Sequence, residues 1–179
     1  MRAAETRNIL FGATIAALLC LPLSAQAGDD GKTRNFNLNI GSSKTADARD
    51  VGLPFYPGAR PHKDNADDDS AAHIWASAGQ FGLKVAVVKL ESDDPPGKVA
   101  AFYRPALSRY GALLDCSAGW HANGRNASGE LDCSGDNPGH GELVLKAGKT
   151  SDLHVVDVKP NGHGSIVDLV YVRLDGFDN

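Results

Sequence analysis

Four aspartates and one histidine lie between positions 62 and 69, and carboxylate oxygens are the ligands that Ca²⁺ prefers. The spacing differs from that of an EF-hand, and the segment has no glycine for the sharp turn of such a loop. A cluster of like charges is also typical of a solvated loop. We therefore predict no cofactor. The alternative is a weak divalent-metal site, with Ca²⁺ as its ion, formed by His62, Asp64, Asp67, Asp68 and Asp69.

A second candidate site lies between two cysteines of the chain. Trp120 offers an aromatic face and its neighbours offer hydrogen-bonding side chains, a combination that suits a carbohydrate or peptide ligand. In the alternative interpretation Trp120 packs onto the core, since large aromatic side chains are mostly buried. The candidate ligand-binding residues are Trp120, His121, Asn123 and Arg125.

Cys116 and Cys133 are predicted to form a disulfide. They are the two cysteines that follow an N-terminal leader, and an even number of cysteines in an exported protein indicates pairing. A redox-active or metal-binding pair usually has C-x-x-C spacing, which this sequence lacks. Closing a loop of this size contributes about 3 kcal/mol to stability.

No common catalytic motif occurs in the sequence. A G-x-S-x-G nucleophile turn, an H-E-x-x-H zinc motif, a P-loop and a dinucleotide-binding glycine motif are all absent. His140 lies near Glu142, but no third residue that would orient this pair is evident. A small periplasmic hydrolase, with a site assembled from scattered His and Asp residues, is an alternative. A pocket in which acids with shifted pKa values converge would favour it.

Residues 1–27 have the organisation of a secretory signal peptide. Positive charges precede an apolar run at 9–23, and small residues surround the AQA sequence at 25–27. The apolar run is shorter than the roughly 20 residues that a membrane-spanning helix needs. Cys20 would carry the lipid of a lipoprotein, but the bulky Leu19 before it argues against that processing. We expect a periplasmic or secreted protein with no stable membrane span after cleavage.

Charge and composition restrict the partners. The 179 residues have a formal net charge of −4 and are 42% hydrophobic, which is typical of a globular protein. Binding to the phosphates of nucleic acid needs a basic patch, and this sequence has no cluster of lysine and arginine. We therefore expect no nucleic-acid partner. The predicted partner is therefore an envelope protein, a glycan or a small ligand.

The elements that position these residues are predicted from periodicity. Alternating apolar residues predict strands, and NGHG at 161–164 predicts a hairpin turn. One amphipathic helix is predicted at about 95–110, with its N-cap within 92–94 and a disruption at Pro105. Strands, one helix and further strands predict an α+β fold, in which an antiparallel sheet is covered by one main amphipathic helix.

The predicted boundaries divide the chain after the leader into two parts. Residues 28–50 are polar and are interpreted as a linker, with an edge strand as an alternative where Leu38 and Ile40 alternate with asparagines. Residues 51–179 are predicted to form a single α+β domain.

Several short motifs resemble a group of uncharacterised exported bacterial proteins. They are LPFYPGA at 53–59, DDPP at 93–96, FYRPAL at 102–107, YG at 110–111 and DLVYV at 168–172. The resemblance covers most of the chain after the leader, and it implies a location in the cell envelope and an α+β fold. It implies no activity and no catalytic residue.

Together these features predict an exported cell-envelope protein that acts as a non-enzymatic binding or accessory module. The two alternatives are the small hydrolase and a weak divalent-metal binder that uses the loop at 64–69.

Overall fold

A computed structural model describes residues 38–119 and 131–176 of the chain. Within these residues eight strands form one antiparallel sheet. The strands are β1 (Leu38–Ser43), β2 (Arg60–Pro61), β3 (Ala71–Ala78), β4 (Phe81–Ser92), β5 (Leu114–Asp115), β6 (Leu143–Lys149), β7 (Asp152–Asn161) and β8 (Gly164–Asp175), and the helices are α1 (Ala48–Val51) and α2 (Pro96–Leu107).

The sheet combines hairpins with several pairings between strands that are distant in sequence. The strand order is β1-β3-β4-β8-β7-β6-β5, and the short β2 pairs with β4. The neighbours β3–β4, β6–β7 and β7–β8 are consecutive in sequence, whereas β4 and β8 meet across the intervening chain. The β7–β8 turn has Gly162 at φ 60°, a conformation that favours glycine. The predicted antiparallel sheet is confirmed, and it dominates the fold.

The main core lies between one face of the sheet and α2. The helix buries Val99, Tyr103 and Leu107, whose spacing of four residues places them on one side of the helix. Strands β4, β6, β7 and β8 each contribute every second residue, because strand side chains alternate between faces. These core residues are Ala86, Val88, Leu90, Leu145, Ala147, Val156, Val158, Val167 and Leu169.

The start of α2 differs from the prediction. Pro95 is the N-cap without a side-chain hydrogen bond, and Pro96 is the first helical residue. Asp94 instead accepts hydrogen bonds from the Tyr56 hydroxyl at 2.6 Å and from Lys98 at 2.9 Å. Because the two prolines have no N–H, this helix start has fewer donors that need a cap.

The helical segment ends at Tyr110, in agreement with the prediction: α2 ends at Leu107, and Ser108–Tyr110 continues as a turn of 3-10 helix. Pro105 lies in the last turn of α2 and has no N–H to donate to the carbonyl of Ala101, so the regular hydrogen-bond pattern is already interrupted there.

Among the residues that the structure describes, the opposite face of the sheet is covered at one end only. There Leu114, Leu131 and Val144 pack around the Cys116–Cys133 disulfide, whose Cα atoms are 5.3 Å apart. The predicted cysteine pairing is therefore confirmed. Both described helices pack on the other face. We call the remaining surface, which extends from β1 across β3, β4 and β8 to β7, the open face.

The segment at 28–50 contributes to the described fold. Leu38–Ser43 forms β1 and pairs with β3 along its whole length. Asp47 and Asp50 form a capping box at α1, a helix of four residues that is too short to show a periodic pattern. Of the described helices, none is long and apolar enough to cross a membrane. The predicted signal peptide lies outside the described residues.

Candidate functional site

A row of four side chains runs across the open face and into the end that the disulfide cluster covers. Lys89 of β4, Asp168 of β8, Asp157 of β7 and Val144 of β6 lie directly opposite one another in the register. Because directly opposed residues of antiparallel strands project to the same side, all four face the same surface. Like charges at opposed positions are destabilising, so the Asp157–Asp168 pair requires a compensating cation.

Lys159 supplies that cation. Its Nζ lies 3.0 Å from a carboxylate oxygen of Asp157, 2.9 Å from one of Asp168 and 3.7 Å from one of Glu142. The three carboxylate side chains are only 20%, 15% and 14% exposed, respectively. Partial burial weakens screening by salt, so these charges interact strongly. We call Glu142, Asp157, Lys159 and Asp168 the acidic cluster.

The acidic cluster contains one carboxyl group that titrates near neutral pH. Burial and a hydrogen bond with Glu142 raise the pKa of Asp157 to about 6. Burial would also raise the pKa of Glu142, but the N–H of Gly139 and the Asp157 carboxyl hold it below its usual range. Burial lowers the pKa of Lys159, but its hydrogen bonds to Asp168 and Asp157 outweigh this and raise it. Three carboxylates and one ammonium thus leave a formal charge of −2 above pH 6.

A groove of about 520 Å³ lies beside the acidic cluster. One wall is the segment at 135–138, which follows the disulfide. The floor is apolar, because the next row of the open face consists of valines, namely Val87, Val170 and Val155. The groove therefore joins an apolar floor to a negatively charged border.

Lys89 lines the groove and Lys146 contacts its wall through Asp136, and both lysines already have a carboxylate partner. Lys146 pairs with Asp136 at 2.7 Å, and both side chains are mostly buried. Lys89 forms an ion pair with Asp64. Since each of these pairs is formally neutral, neither cancels the negative charge of the acidic cluster.

Two buried oxygens of the acidic cluster are acceptors without a conventional donor. Asp157 Oδ1 and Asp168 Oδ1 receive no hydrogen bond from an N–H or hydroxyl group of the described residues. A buried acceptor of this kind costs free energy, and the cost is larger for a charged group. A bound group that carries N–H donors and a positive charge would satisfy both oxygens, because charge-assisted hydrogen bonds are strong.

The residues of the predicted metal alternative contact other protein side chains. His62 Nδ1 lies 2.9 Å from Glu91, and its Nε2 lies 3.5 Å from Asp64. Asp64 in turn pairs with Lys89. These two residues are therefore part of an ion-pair network that links their loop to β4.

The other three aspartates of that alternative do not converge with His62. Asp67 is exposed, Asp68 accepts a hydrogen bond from Asn65, and Asp69 pairs with Lys44 at 3.1 Å. In the described ranges, the one set of three potential ligand atoms within 4.8 Å of one another belongs to Cys116, Cys133 and Asp136. Its two sulfurs are bonded to each other.

The candidate ligand-binding residues Trp120, His121, Asn123 and Arg125 lie outside the described residues. The strand histidines lie away from the groove. His73 and His154 share one row on the helix-covered face, separated by β4 and β8. His154 stacks on Tyr110 with ring centres 3.6 Å apart, and burial lowers its pKa.

The residues of the acidic cluster were absent from the sequence predictions as site residues. Asp157 and Asp168 interrupt apolar strand sequences, and a carboxylate in such a position is the signal that could have identified them. The convergence itself depends on the register of β7 against β8, which places these two aspartates opposite each other. No protein-family model matches this chain, and neither a curated protein nor a solved structure matches it.

Proposed function

We propose that this chain is a non-enzymatic binding module of the bacterial cell envelope, and that its groove binds a ligand in which a cationic nitrogen adjoins an apolar segment. The observation that carries the proposal is the pair of buried aspartate oxygens without an N–H or hydroxyl donor, Asp157 Oδ1 and Asp168 Oδ1. A cationic nitrogen would donate to both oxygens and reduce the repulsion between the two carboxylates. The valine floor would accept the apolar segment.

Two features support a location outside the cytoplasm. Residues 1–27 have the organisation of a signal peptide. Disulfides persist in oxidising compartments, and Cys116 and Cys133 are bonded. We therefore propose a periplasmic or secreted protein that shares an α+β fold, with α2 covering the sheet, with the exported group that its motifs resemble.

The groove narrows the predicted partner classes. An unmodified neutral glycan has no cationic nitrogen for the acidic cluster. An amine-bearing small ligand, or a basic side chain of an envelope protein, has one. The proposed ligand class is therefore an amphipathic amine or guanidinium compound.

An NMR titration with octylammonium, the probe for this class, tests the proposal. Octanoate has an apolar chain of similar length and the opposite charge. We expect saturable shifts at pH 7.5 with octylammonium and at least tenfold weaker binding of octanoate, because the groove border repels a carboxylate. Equal affinity for the two probes would contradict the proposal.

Single substitutions assign the binding to the acidic cluster. Asp168→Asn removes one charge and should weaken octylammonium binding about tenfold, because a charge-assisted hydrogen bond becomes a neutral one. Asp175→Asn is the matched control, since it removes the same charge from an exposed site that pairs with Arg173. The proposal fails if both variants weaken binding equally, or if Asp168→Asn has no effect.

One observation favours the small hydrolase as a second candidate. A protonated Asp157 beside an ionised Glu142 in a groove is an arrangement capable of general acid–base catalysis. Chromogenic esters and glycosides test this candidate directly. Turnover that is abolished by both Asp157→Asn and Glu142→Gln would replace the binding proposal with a hydrolase, and absence of turnover with retained octylammonium binding would support the binding module.

A further inference from the structure

The open face continues beyond the groove as an apolar surface. Towards the β1 edge its successive rows are Ile74–Val85–Val172, Ile40–Ala76–Leu83–Leu174 and Leu38–Ala78–Phe81. Several large side chains in these rows are strongly exposed: Ile40 is 70%, Leu38 58%, Ile74 45%, Phe81 44% and Leu83 37% exposed. We call these three rows the apolar patch.

The apolar patch bears no charged side chain. The charged residues on the neighbouring strand segments occupy the alternating positions, so they project to the helix-covered face. They are Lys84, Asp152, Arg173 and Asp175. The edge strand β1, with the sequence LNIGSS, also lacks the charges and prolines that commonly prevent association at a sheet edge. Nothing in the patch would therefore repel a second apolar surface.

The apolar patch has a depression into which side chains of a facing sheet could pack. A notch of about 140 Å³ lies between Leu38, Phe81 and Leu83. Its floor is lowered by two small residues, Ala76 and Ala78. Large side chains of a facing sheet, such as isoleucines, would fit into a depression of this kind, as in the interdigitated core between two packed sheets.

We propose that two copies of this chain form a dimer in which their apolar patches pack face to face. The five strongly exposed side chains of the patch leave on the order of a few hundred Å² of contiguous apolar surface per copy, a size that often marks an interaction site. A standard interface buries roughly 800 Å² per partner, so the patch would form the apolar centre of such an interface and polar residues its rim.

Charge favours a second copy over a charged partner as the occupant. The patch is uncharged, whereas a basic or acidic partner would need complementary charges that the surface does not offer. The acidic cluster also lies outside the proposed interface, because Asp168 is six residues along β8 from Leu174, or on the order of 20 Å.

Sedimentation velocity of the purified full chain, from 1 to 200 µM, tests the dimer. Ile40→Lys should weaken dimerisation at least tenfold, because it places a charge in the apolar interface. Asn39→Lys is the matched control: it adds the same charge to the next residue of β1, which is exposed on the other face. We expect the Asn39→Lys variant to dimerise like the wild type.

Leu83→Lys provides an independent variant on β4, and circular dichroism shows whether each variant is folded. Ile40→Ser removes apolar area without adding a charge, so it should weaken the dimer even if a lysine variant does not fold. A wild-type monomer at 200 µM would overturn the proposal. Equal effects of Asn39→Lys and Ile40→Lys would overturn it too, since they would place the contact at the strand edge rather than on the face.

Discussion

At position 157 a carboxyl group lies in a strand between two buried valines, Val156 and Val158. Its pKa of about 6 lies above the ordinary value of 3.8, so between these two pH values the folded state binds a proton that the unfolded state releases. Folding stability from this group is therefore complete below pH 4 and is lost as pH rises through 6. The ionised Asp157 destabilises the fold at pH 8.

Asp157→Asn should consequently stabilise the protein at high pH. Asparagine resembles the protonated acid in shape and carries no charge to desolvate. We expect a gain of roughly 1 to 2 kcal/mol in unfolding free energy at pH 8 and almost none at pH 4. Urea denaturation at a series of pH values measures this difference.

Asp115→Asn gives a control of opposite sign. Hydrogen bonds from Ser117 and Arg104 outweigh the effect of burial and hold the pKa of Asp115 below its usual range, so its ionised form stabilises the fold above pH 4. Its replacement should destabilise the protein at pH 8, and this loss should become smaller as the pH falls below 4. A pH-independent effect of Asp157→Asn would contradict the assigned pKa shift.

The sequence shows the charged residues of the acidic cluster, but it does not show that their side chains lie close together in the fold. Asp157 and Asp168 are eleven positions apart, and only the register of the β7–β8 hairpin sets them opposite each other. A slip of one residue would place Asp168 on the other face. The contribution of Glu142 depends on the loop at 135–142, for which the sequence offers no periodic pattern.

Among the elements, α2 contains a proline that interrupts its regular hydrogen bonding. Pro105 lies inside the helix on its exposed side and lacks the N–H that would bond to the carbonyl of Ala101. Proline is about 3 kcal/mol less favourable than alanine inside a helix, partly offset by its restriction of the unfolded chain. Pro105→Ala should therefore raise the unfolding free energy by about 1 kcal/mol.

Thermal unfolding followed by circular dichroism tests that expectation. Gly97→Ala serves as the reference for helix propensity alone, because an added Cβ meets no atom within 4 Å. It should stabilise α2 by roughly 0.5 to 1 kcal/mol. A lower melting temperature for Pro105→Ala alone would show that the proline ring makes a contact that α2 requires.

Elements with strong periodic patterns were predictable, and short ones were not. The strand at Ala71–Ala78 and the turn between β7 and β8 agree with the sequence pattern. The two-residue β2 is held by its pairing with β4, and the four-residue α1 by a capping box. Both are too short for a periodic hydrophobic pattern to predict them. The predicted N-cap of α2 was wrong, because Pro95 occupies the N-cap position and has no side-chain acceptor, while Asp94 bonds to Tyr56 and Lys98 instead.

At the scale of the whole molecule, the disulfide joins the loop after β5 to the wall of the groove. Cys116→Ser combined with Cys133→Ser should lower the unfolding free energy by about 3 kcal/mol, because the unfolded chain gains the freedom of a 17-residue loop. Urea denaturation of this double variant and of the wild type with reductant should give similar values. A loss below about 1 kcal/mol would show that the small core at Leu114 and Val144 holds without the bond.

The double variant should also weaken octylammonium binding, since the wall at 135–138 follows Cys133 directly. The antiparallel sheet and the cysteine pairing followed from composition and alternation along the chain. The groove could not be predicted in this way. It forms where the wall at 135–138, the valine row of β4, β8 and β7, and the acidic cluster come together.

The central claim is that a cationic amphiphile binds in the groove on the open face. An isotope-filtered NOE experiment on the labelled full chain with octylammonium at pH 7.5 tests it most directly. We predict contacts from the alkyl chain to the methyl groups of Val87, Val155 and Val170. At the same octylammonium concentration these contacts should be weaker in Asp168→Asn. Contacts confined to the apolar patch at Ile40 and Ile74, or no contacts at a concentration that saturates the shifts, would contradict the claim.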